Sequence, residues 1–353
     1  MSDVIQRIIF GSPGTGKSHL IKAEIIPELI KDEKRRKSNV INAVFHPEYT
    51  YGDFMGKLLP ISTQDGKVEY HFYEGHFLKA LAYAYRNLVL VLDKNGEQLN
   101  EPENVVLVID EINRGNSSAI FGSVFQLLDR DDKGWSSYDT TINGVVFDKF
   151  KELIFNDIMT STTKGSKTTC EIGAFKGDSF SELQKEIIPL LGLDLNQRNI
   201  KIPPNMHIVA TMNTSDNSIY HMDTAFKRRW EWEFMDVDEH HSRQIRNVGQ
   251  GIAFSDLEWI NFIGKLNQFI KSNHNYIRGI EDKQIGKYFI RTENNQINYA
   301  IIQSKLMFFI WDSVFSRDKK PLIDLLKVEK NELVTFGDFA LKVKEFIKAI
   351  QEN

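Results

Sequence analysis

Short apolar runs separated by polar, helix-forming stretches mark the first two-thirds of the chain. They recur as Ile5–Phe10, Val40–Phe45, Val105–Ile109 and Met206–Thr211, with a fifth at Trp230–Phe234. Runs this short and this apolar predict strands buried on both faces. Alternation with helices predicts an α/β fold in which a parallel sheet is covered on both sides. From about Val237 the period changes. Leu257, Ile260, Phe262, Ile263, Leu266, Phe269 and Ile270 recur at helical spacing, and 301–315 and 336–350 follow the same logic. The pattern predicts two domains, an α/β domain over 1–236 and a helical domain over 237–353. Between about Ile142 and Arg198 lies a stretch of mixed character containing Ser161-Thr162-Thr163-Lys164-Gly165-Ser166-Lys167-Thr168-Thr169. It is too long for an ordinary connection and reads as an insertion with a small structure of its own.

The first run leads directly into Gly11-Ser12-Pro13-Gly14-Thr15-Gly16-Lys17-Ser18, a complete phosphate-binding loop, and a helical stretch from about Ser18 to Ile30 follows it. Strand, loop and helix in that order are the setting the motif requires. Its glycines let successive backbone N–H groups curl around a polyphosphate, and the helix N-terminus adds partial positive charge. Lys17 is expected to reach the terminal phosphates and the Ser18 hydroxyl to hold magnesium.

The third run ends in Asp110-Glu111, two carboxylates delivered where open α/β sheets bind ligands. Asp110 is expected to hold magnesium through its water shell, and Glu111 to polarise an attacking water. An Asp-Glu pair here could instead cap a helix. Arg114, three residues on, either bridges to a neighbouring site or pairs with Glu111. The fourth run ends in Met212-Asn213-Thr214-Ser215-Asp216, a good turn sequence. Its place after a parallel strand makes Asn213 the candidate for holding the lytic water. Finally, Lys227, Arg228 and Arg229 stand immediately before the fifth run. Three cations there either complement a helix C-terminus or supply an arginine finger to an adjacent subunit. Arg228 is the candidate finger, and Arg229 contacts the neighbour or fixes the local geometry.

Composition bounds this picture more than it changes it. With 353 residues, 41% apolar and 26% charged, the chain reads as an ordinary soluble protein. A formal charge of −4 argues against a chain-wide nucleic-acid surface while leaving room for a local basic stripe. The single cysteine, Cys170, excludes an internal disulfide, and no metal-type Cys/His spacing exists. No apolar stretch reaches membrane-span length, and the phosphate loop comes too early to leave room for a signal peptide. The expected compartment is the cytoplasm, with no membrane attachment. Lys31–Lys37 is a charge run that reads as a solvated loop.

The order of these motifs resembles that of the AAA+ P-loop NTPases, a parallel sheet flanked by helices and followed by a helical lid. More narrowly it is similar to the McrB family, GTP-hydrolysing motor subunits of modification-dependent restriction systems. Four stretches carry the likeness. Phe45-His46-Pro47-Glu48-Tyr49-Thr50-Tyr51-Gly52-Asp53-Phe54 resembles the family's Phe-His-Pro-Ser-Tyr-Ser-Tyr-Glu-Asp-Phe. Asp110-Glu111-Ile112-Asn113-Arg114-Gly115-Asn116 is nearly its Asp-Glu-Ile-Asn-Arg-Ala-Asn. Met212-Asn213-Thr214-Ser215-Asp216-Asn217-Ser218 is similar to its Met-Asn-Thr-Ala-Asp-Arg-Ser, the most specific of the four. Gln284-Ile285-Gly286-Lys287-Tyr288-Phe289 resembles Ile-Gly-His-Ser-Tyr-Phe with one residue fewer.

The resemblance implies a homo-oligomeric ring, hexameric in the family, that binds GTP in preference to ATP together with Mg2+. It implies slow intrinsic hydrolysis stimulated by a separate McrC-type subunit carrying the nuclease, in a restriction system of the anti-phage kind. By motif position, Asn213 and Asp216 become catalytic or nucleotide-linked and Arg228 the trans finger. Three departures bear on this. Asn217 stands where the family has Arg. The spacing from Asp110 to Asn213 exceeds the family's, which locates the insertion and makes it an expected contact for the partner subunit or DNA. No DNA-reading module precedes the phosphate-loop strand, so target recognition is expected on another polypeptide or on the insertion. A nuclease site in this chain is not expected. The alternative is a MoxR-type AAA+ ATPase that remodels protein complexes. A scaffold that never hydrolyses conflicts with Lys17, Glu111 and Asn213 occurring together.

Overall fold

The computed structural model describes residues 4–352 apart from 63–64, 66, 165–166, 214–219, 221 and 291–295, and of 167, 239 and 240 the backbone alone. Five strands form the central sheet: β1 (Gln6–Gly11), β2 (Val40–Val44), β3 (Val105–Asp110), β4 (Met206–Asn213) and β5 (Glu231–Met235). All five were legible as apolar runs, and their bounds shift by at most a residue or two. The sheet order is β5–β1–β4–β3–β2, and the pairings β1–β5, β4–β3 and β2–β3 are parallel. Parallel strands demand crossovers, and helices supply them.

The chain forms two compact units. One comprises residues 1–6, 18–211 and 218–222, and the other residues 7–17, 212–217 and 223–353. In the first, Val105–Ile109 of β3 are essentially inaccessible, as a strand covered on both faces must be. Helix α1, the run 17–29, opens as an α-helix (Lys17–Leu20), passes through a π-turn (Ile21–Ile25) and closes as an α-helix (Ile26–Leu29). Helix α2 (His76–Val89) is buried nearly all round, from Phe77 to Val89. A helix apolar on every face needs cover on every side, and part of that cover is α3 (Gly144–Phe155), whose Phe150 meets Tyr85 edge-on at 5.4 Å.

Helix α3 belongs to the stretch read as an insertion. A two-residue antiparallel stem, Thr140↔Ile200 and Thr141↔Asn199, brackets residues 142–198. Inside lie α3, a three-stranded antiparallel sheet (Met159–Lys164, Lys167–Ile172, Phe175–Gly177) and a helix over Phe180–Leu190. Arg86 of α2 pairs with Asp157 at 3.1 Å and lies over the Tyr83 ring, so the module is seated on α2.

The charge run read as a loop is instead largely a helix, Glu33–Asn39, capped by Asp32, and two further features of this unit are absent from the sequence reading. Gly56–Ser62 and Val68–Glu74 form an antiparallel hairpin whose Leu58, Val68, Tyr70 and Tyr73 face solvent. Arg130 is a half-buried guanidinium that donates to Gln6 Oε1 at 3.2 Å and to the carbonyls of Gly134, Ile202, Pro203 and Met206 at 3.0–3.2 Å. Burial presses its pKa down, and the five bonds meet the desolvation cost that a buried charge incurs. Beside it His207, fully buried on β4, accepts the Ile5 N–H at Nδ1.

In the second unit β1 pairs with β5 in the register Arg7↔Glu231 to Gly11↔Met235. The Gln6-Arg7 interruption in the first apolar run is thereby explained for Arg7, which bonds Glu231 at 3.1 Å and Glu233 at 2.9 Å along one face. Phe10 and Trp232 both pack on Phe308 of α5, the helical run 299–314; Trp232 stacks flat on it at 4.0 Å and Phe10 meets it edge-on at 5.1 Å (α4 is the short helix Thr224–Lys227 ahead of β5). Helix α5 carries two π-turns, Ile302–Met307 and Ile310–Val314. Helices over Asp256–Ser272, Phe336–Leu341 and Val343–Glu352 complete the helical periodicity read from the sequence. A small antiparallel pair, Ile252–Ser255 with Gln296–Asn298, was not foreseen. No helix among the described residues is long and apolar enough to cross a membrane.

Candidate functional site

Gly11 must be glycine because of where β1 ends. A Cβ there would sit 2.1 Å from the Met235 carbonyl oxygen of the paired strand. Gly14 and Gly16 have φ of +81° and +86°, a region L-residues avoid, and Gly14 has open space around it. Backbone conformation is therefore the constraint at Gly14, and room is the constraint at Gly11. Thr15 closes the turn by donating its hydroxyl to the Ser12 carbonyl at 3.0 Å. Lys17 is buried, and its ammonium donates to the carbonyls of Gly11 (3.1 Å) and Ser12 (2.8 Å). Ser12 and Pro13 form the outer part of the loop, and Ser18 is exposed on the first turn of α1. A cation inside a ring of left-handed and extended backbone, at the head of a helix, is the arrangement that receives a polyphosphate.

In the other unit, Asp110 ends β3, and the next residue turns sharply. Glu111 has φ of +56°, unusual for a side chain without local hydrogen-bonding reach. Thr211 of β4 holds the turn. Its hydroxyl donates to Asp110 Oδ1 at 3.1 Å and accepts the Glu111 N–H at 3.2 Å, while its carbonyl accepts the Ile112 N–H at 3.0 Å. Both acidic residues are thus oriented by one β-branched side chain that the sequence reading did not single out. Arg114 is exposed and lies 3.5 Å from Glu111, the pairing within its own chain that the sequence allowed. Asp110 Oδ2 has no protein donor among the described residues, so hard oxygen ligands remain available there for a divalent cation.

The aromatic segment that follows β2 packs against this turn. The Phe45 N–H donates to the Asp110 carbonyl at 2.9 Å, and the Phe45 ring stacks on Tyr49 at 4.8 Å and meets Phe54 edge-on. Thr50 and Asp53 form a capping box over Tyr51–Met55. Burial pushes the Asp53 carboxyl up, but hydrogen bonds from Lys57 and Thr50 outweigh it and hold the group at about 2. The Tyr49 hydroxyl bonds His76 Nδ1 at 2.7 Å, and burial raises its pKa. This segment buttresses the carboxylates from behind.

Asn213 is the last residue of β4 and is half-buried. Asp216, with Thr214, Ser215, Asn217 and Ser218, lies outside the described residues. Asp223 caps α4 by accepting the Phe226 N–H. The three cations that follow are then sorted by their surroundings. Lys227 donates to Asp312 Oδ2 of α5 at 2.6 Å, and its carbonyl accepts the Trp232 indole N–H at 3.0 Å. Arg229 folds back to the Ala225 carbonyl at 2.7 Å. Arg228 is exposed, and among the described residues no acceptor holds its guanidinium.

Comparison with known proteins agrees with this geometry. Residues 6–172 match the family model of the AAA domain (dynein-related subfamily). Over 347 residues the chain is 26% identical to the "Type II restriction enzyme BsuMI component YdiS" of Bacillus subtilis (strain 168), covering 91% of this chain and 81% of that protein. Over 235 residues it is 24% identical to the "Type IV methyl-directed restriction enzyme EcoKMcrB subunit" of Escherichia coli (strain K12). That match covers 65% of this chain and 35% of the E. coli protein.

Proposed function

Because the chain is an McrB-like AAA protein, we propose that it is the GTP-hydrolysing motor of a DNA restriction complex, working as a ring with a separate McrC-like nuclease subunit. Lys17 and the loop Gly11–Gly16 bind the phosphates. Ser18 and Asp110 would hold Mg2+, which would offset the charge of the phosphates. Glu111 takes the proton of the attacking water, held for it by Asn213. The E. coli relative's name supports a methyl-directed restriction role, and both relatives' names support a multi-component enzyme.

The observation that carries the ring reading is the sorting of Lys227, Arg228 and Arg229. Two of the three are bound to their own unit and the middle one points to solvent. An exposed guanidinium on an anchored helix end is arranged to act outside its own subunit, where an arginine finger contributes about 10³-fold or more in rate. Arg228→Ala should therefore abolish turnover of GTP while leaving nucleotide binding intact. Mixing it with Lys17→Ala subunits, which bring an intact Arg228 but a disabled loop, should restore turnover. Failure of the mixture to recover would remove the shared-site reading.

A further inference from the structure

Arg278, Lys283 and Arg317 line one cleft of about 200 Å³ in the second unit, together with Tyr276, Ser313, Val314 and Ser316, and the Ser313 hydroxyl donates to Asp312 Oδ2 at 3.3 Å. No carboxylate lines it. Among the described residues none of the three cations has an ion-pair or hydrogen-bond partner, although acidic residues outnumber basic ones in this chain, 48 to 44. In the same unit Lys227 pairs with Asp312, Arg246 with Glu233, and Lys319 donates to the carbonyls of Trp311 and Phe315. Glu281, Asp282 and Asp318 adjoin the cleft residues in sequence without lining it, and Asp318 accepts the Lys320 N–H instead. Like charges gathered in one concavity repel one another unless an anion joins them.

We propose that this cleft is a binding site for a phosphate oxyanion, distinct from the loop at Gly11–Ser18. Its size selects the ligand: drug-sized molecules and whole nucleotides occupy about 300–1,000 Å³, whereas this cleft holds one phosphate group and a few waters. Two guanidiniums supply planar forks that suit phosphate oxygens. Arg278 and Arg317 are exposed, so the oxyanion can belong to a polymer lying across the cleft as well as to a free ion. The inference does not depend on the GTPase reading.

The test compares the full chain with its Arg278→Gln/Arg317→Gln variant, so that the phosphate loop contributes equally to both. Two ligands are titrated: inorganic phosphate at constant ionic strength, read as a rise in melting temperature, and a fluorescein-labelled DNA duplex, read by anisotropy across a salt series. For a backbone phosphate, the variant binds duplex about tenfold more weakly and its salt slope is shallower by about 2. For a free anion, the variant loses the phosphate-dependent stabilisation while duplex binding is unchanged. Arg278→Lys/Arg317→Lys retains either effect, since charge is kept. Equal behaviour of the Gln variant and the parent with both ligands overturns the proposal, as does competition by polyglutamate as effective as that by duplex.

Discussion

Lys227 and Asp312 meet at 2.6 Å, so the residue immediately before the exposed Arg228 is fastened to the long helix α5. The ammonium side chain is 13% accessible and the carboxylate 31%, burial enough for the pair to fix a geometry. Lys227→Met should lower maximal turnover by about 10- to 100-fold through misplacement of Arg228, with nucleotide affinity nearly unchanged. The exchange Lys227→Asp/Asp312→Lys should recover much of the loss. Steady-state kinetics beside equilibrium nucleotide binding checks both. A variant with weakened binding and unaltered turnover would dismiss the anchoring role.

Thr211 bonds Asp110 and the Glu111 N–H with a single hydroxyl. Thr211→Val keeps the shape and removes both bonds, leaving a left-handed Glu111 without its restraint. Turnover should fall by about tenfold or more, since one hydrogen bond to a charged group contributes about 1.5–3 kcal/mol. Thr211→Ser should restore it, and single-turnover measurements would locate the defect in the chemical step. Equal rates for the Val and Ser variants would mean the hydroxyl is incidental.

His207 makes stability depend on pH. Burial, and then the Arg130 charge, push its pKa from 6.5 to about 4. Between those values the unfolded chain binds the proton and the folded chain does not, so stability is complete above pH 6.5 and lost as pH falls toward 4. The integrated effect is about 3 kcal/mol at most. Asp53, held at about 2, makes its loss only at lower pH. His207→Asn retains an acceptor for the Ile5 N–H without the titration. Its urea midpoint should change less than the parent's between pH 6.5 and pH 4. Parallel pH profiles for the two proteins would show that His207 does not set the slope.

The central sheet could be read from the chain because its strands are buried on both faces, which forces nearly continuous apolar runs such as Val105–Ile109. The hairpin Gly56–Ser62/Val68–Glu74 could not, because Leu58, Val68 and Tyr70 face solvent and impose no period. The threonine-rich strands at 159–172 look like loop for the same reason. The turn conformation of Gly11–Ser18 and the place of Asp110-Glu111 at a strand end were legible because glycine spacing and an apolar run dictate them. Thr211 was not, since a threonine ending a strand looks like any β-branched residue until its hydroxyl is located. Lys227, Arg228 and Arg229 are equivalent as letters, and only folded contacts separate them.

Phe10 stands one residue ahead of the loop proposed to bind phosphate, Trp232 four residues beyond Arg228, and both rest on Phe308. If a bound triphosphate shifts Phe10, the shared packing on Phe308 would give that shift a route to Trp232. In the ring proposed above, a copy would thus announce its own occupancy to the next through the pitch of a single side chain, and discharge would travel around the circle as a relay rather than striking all centres at once.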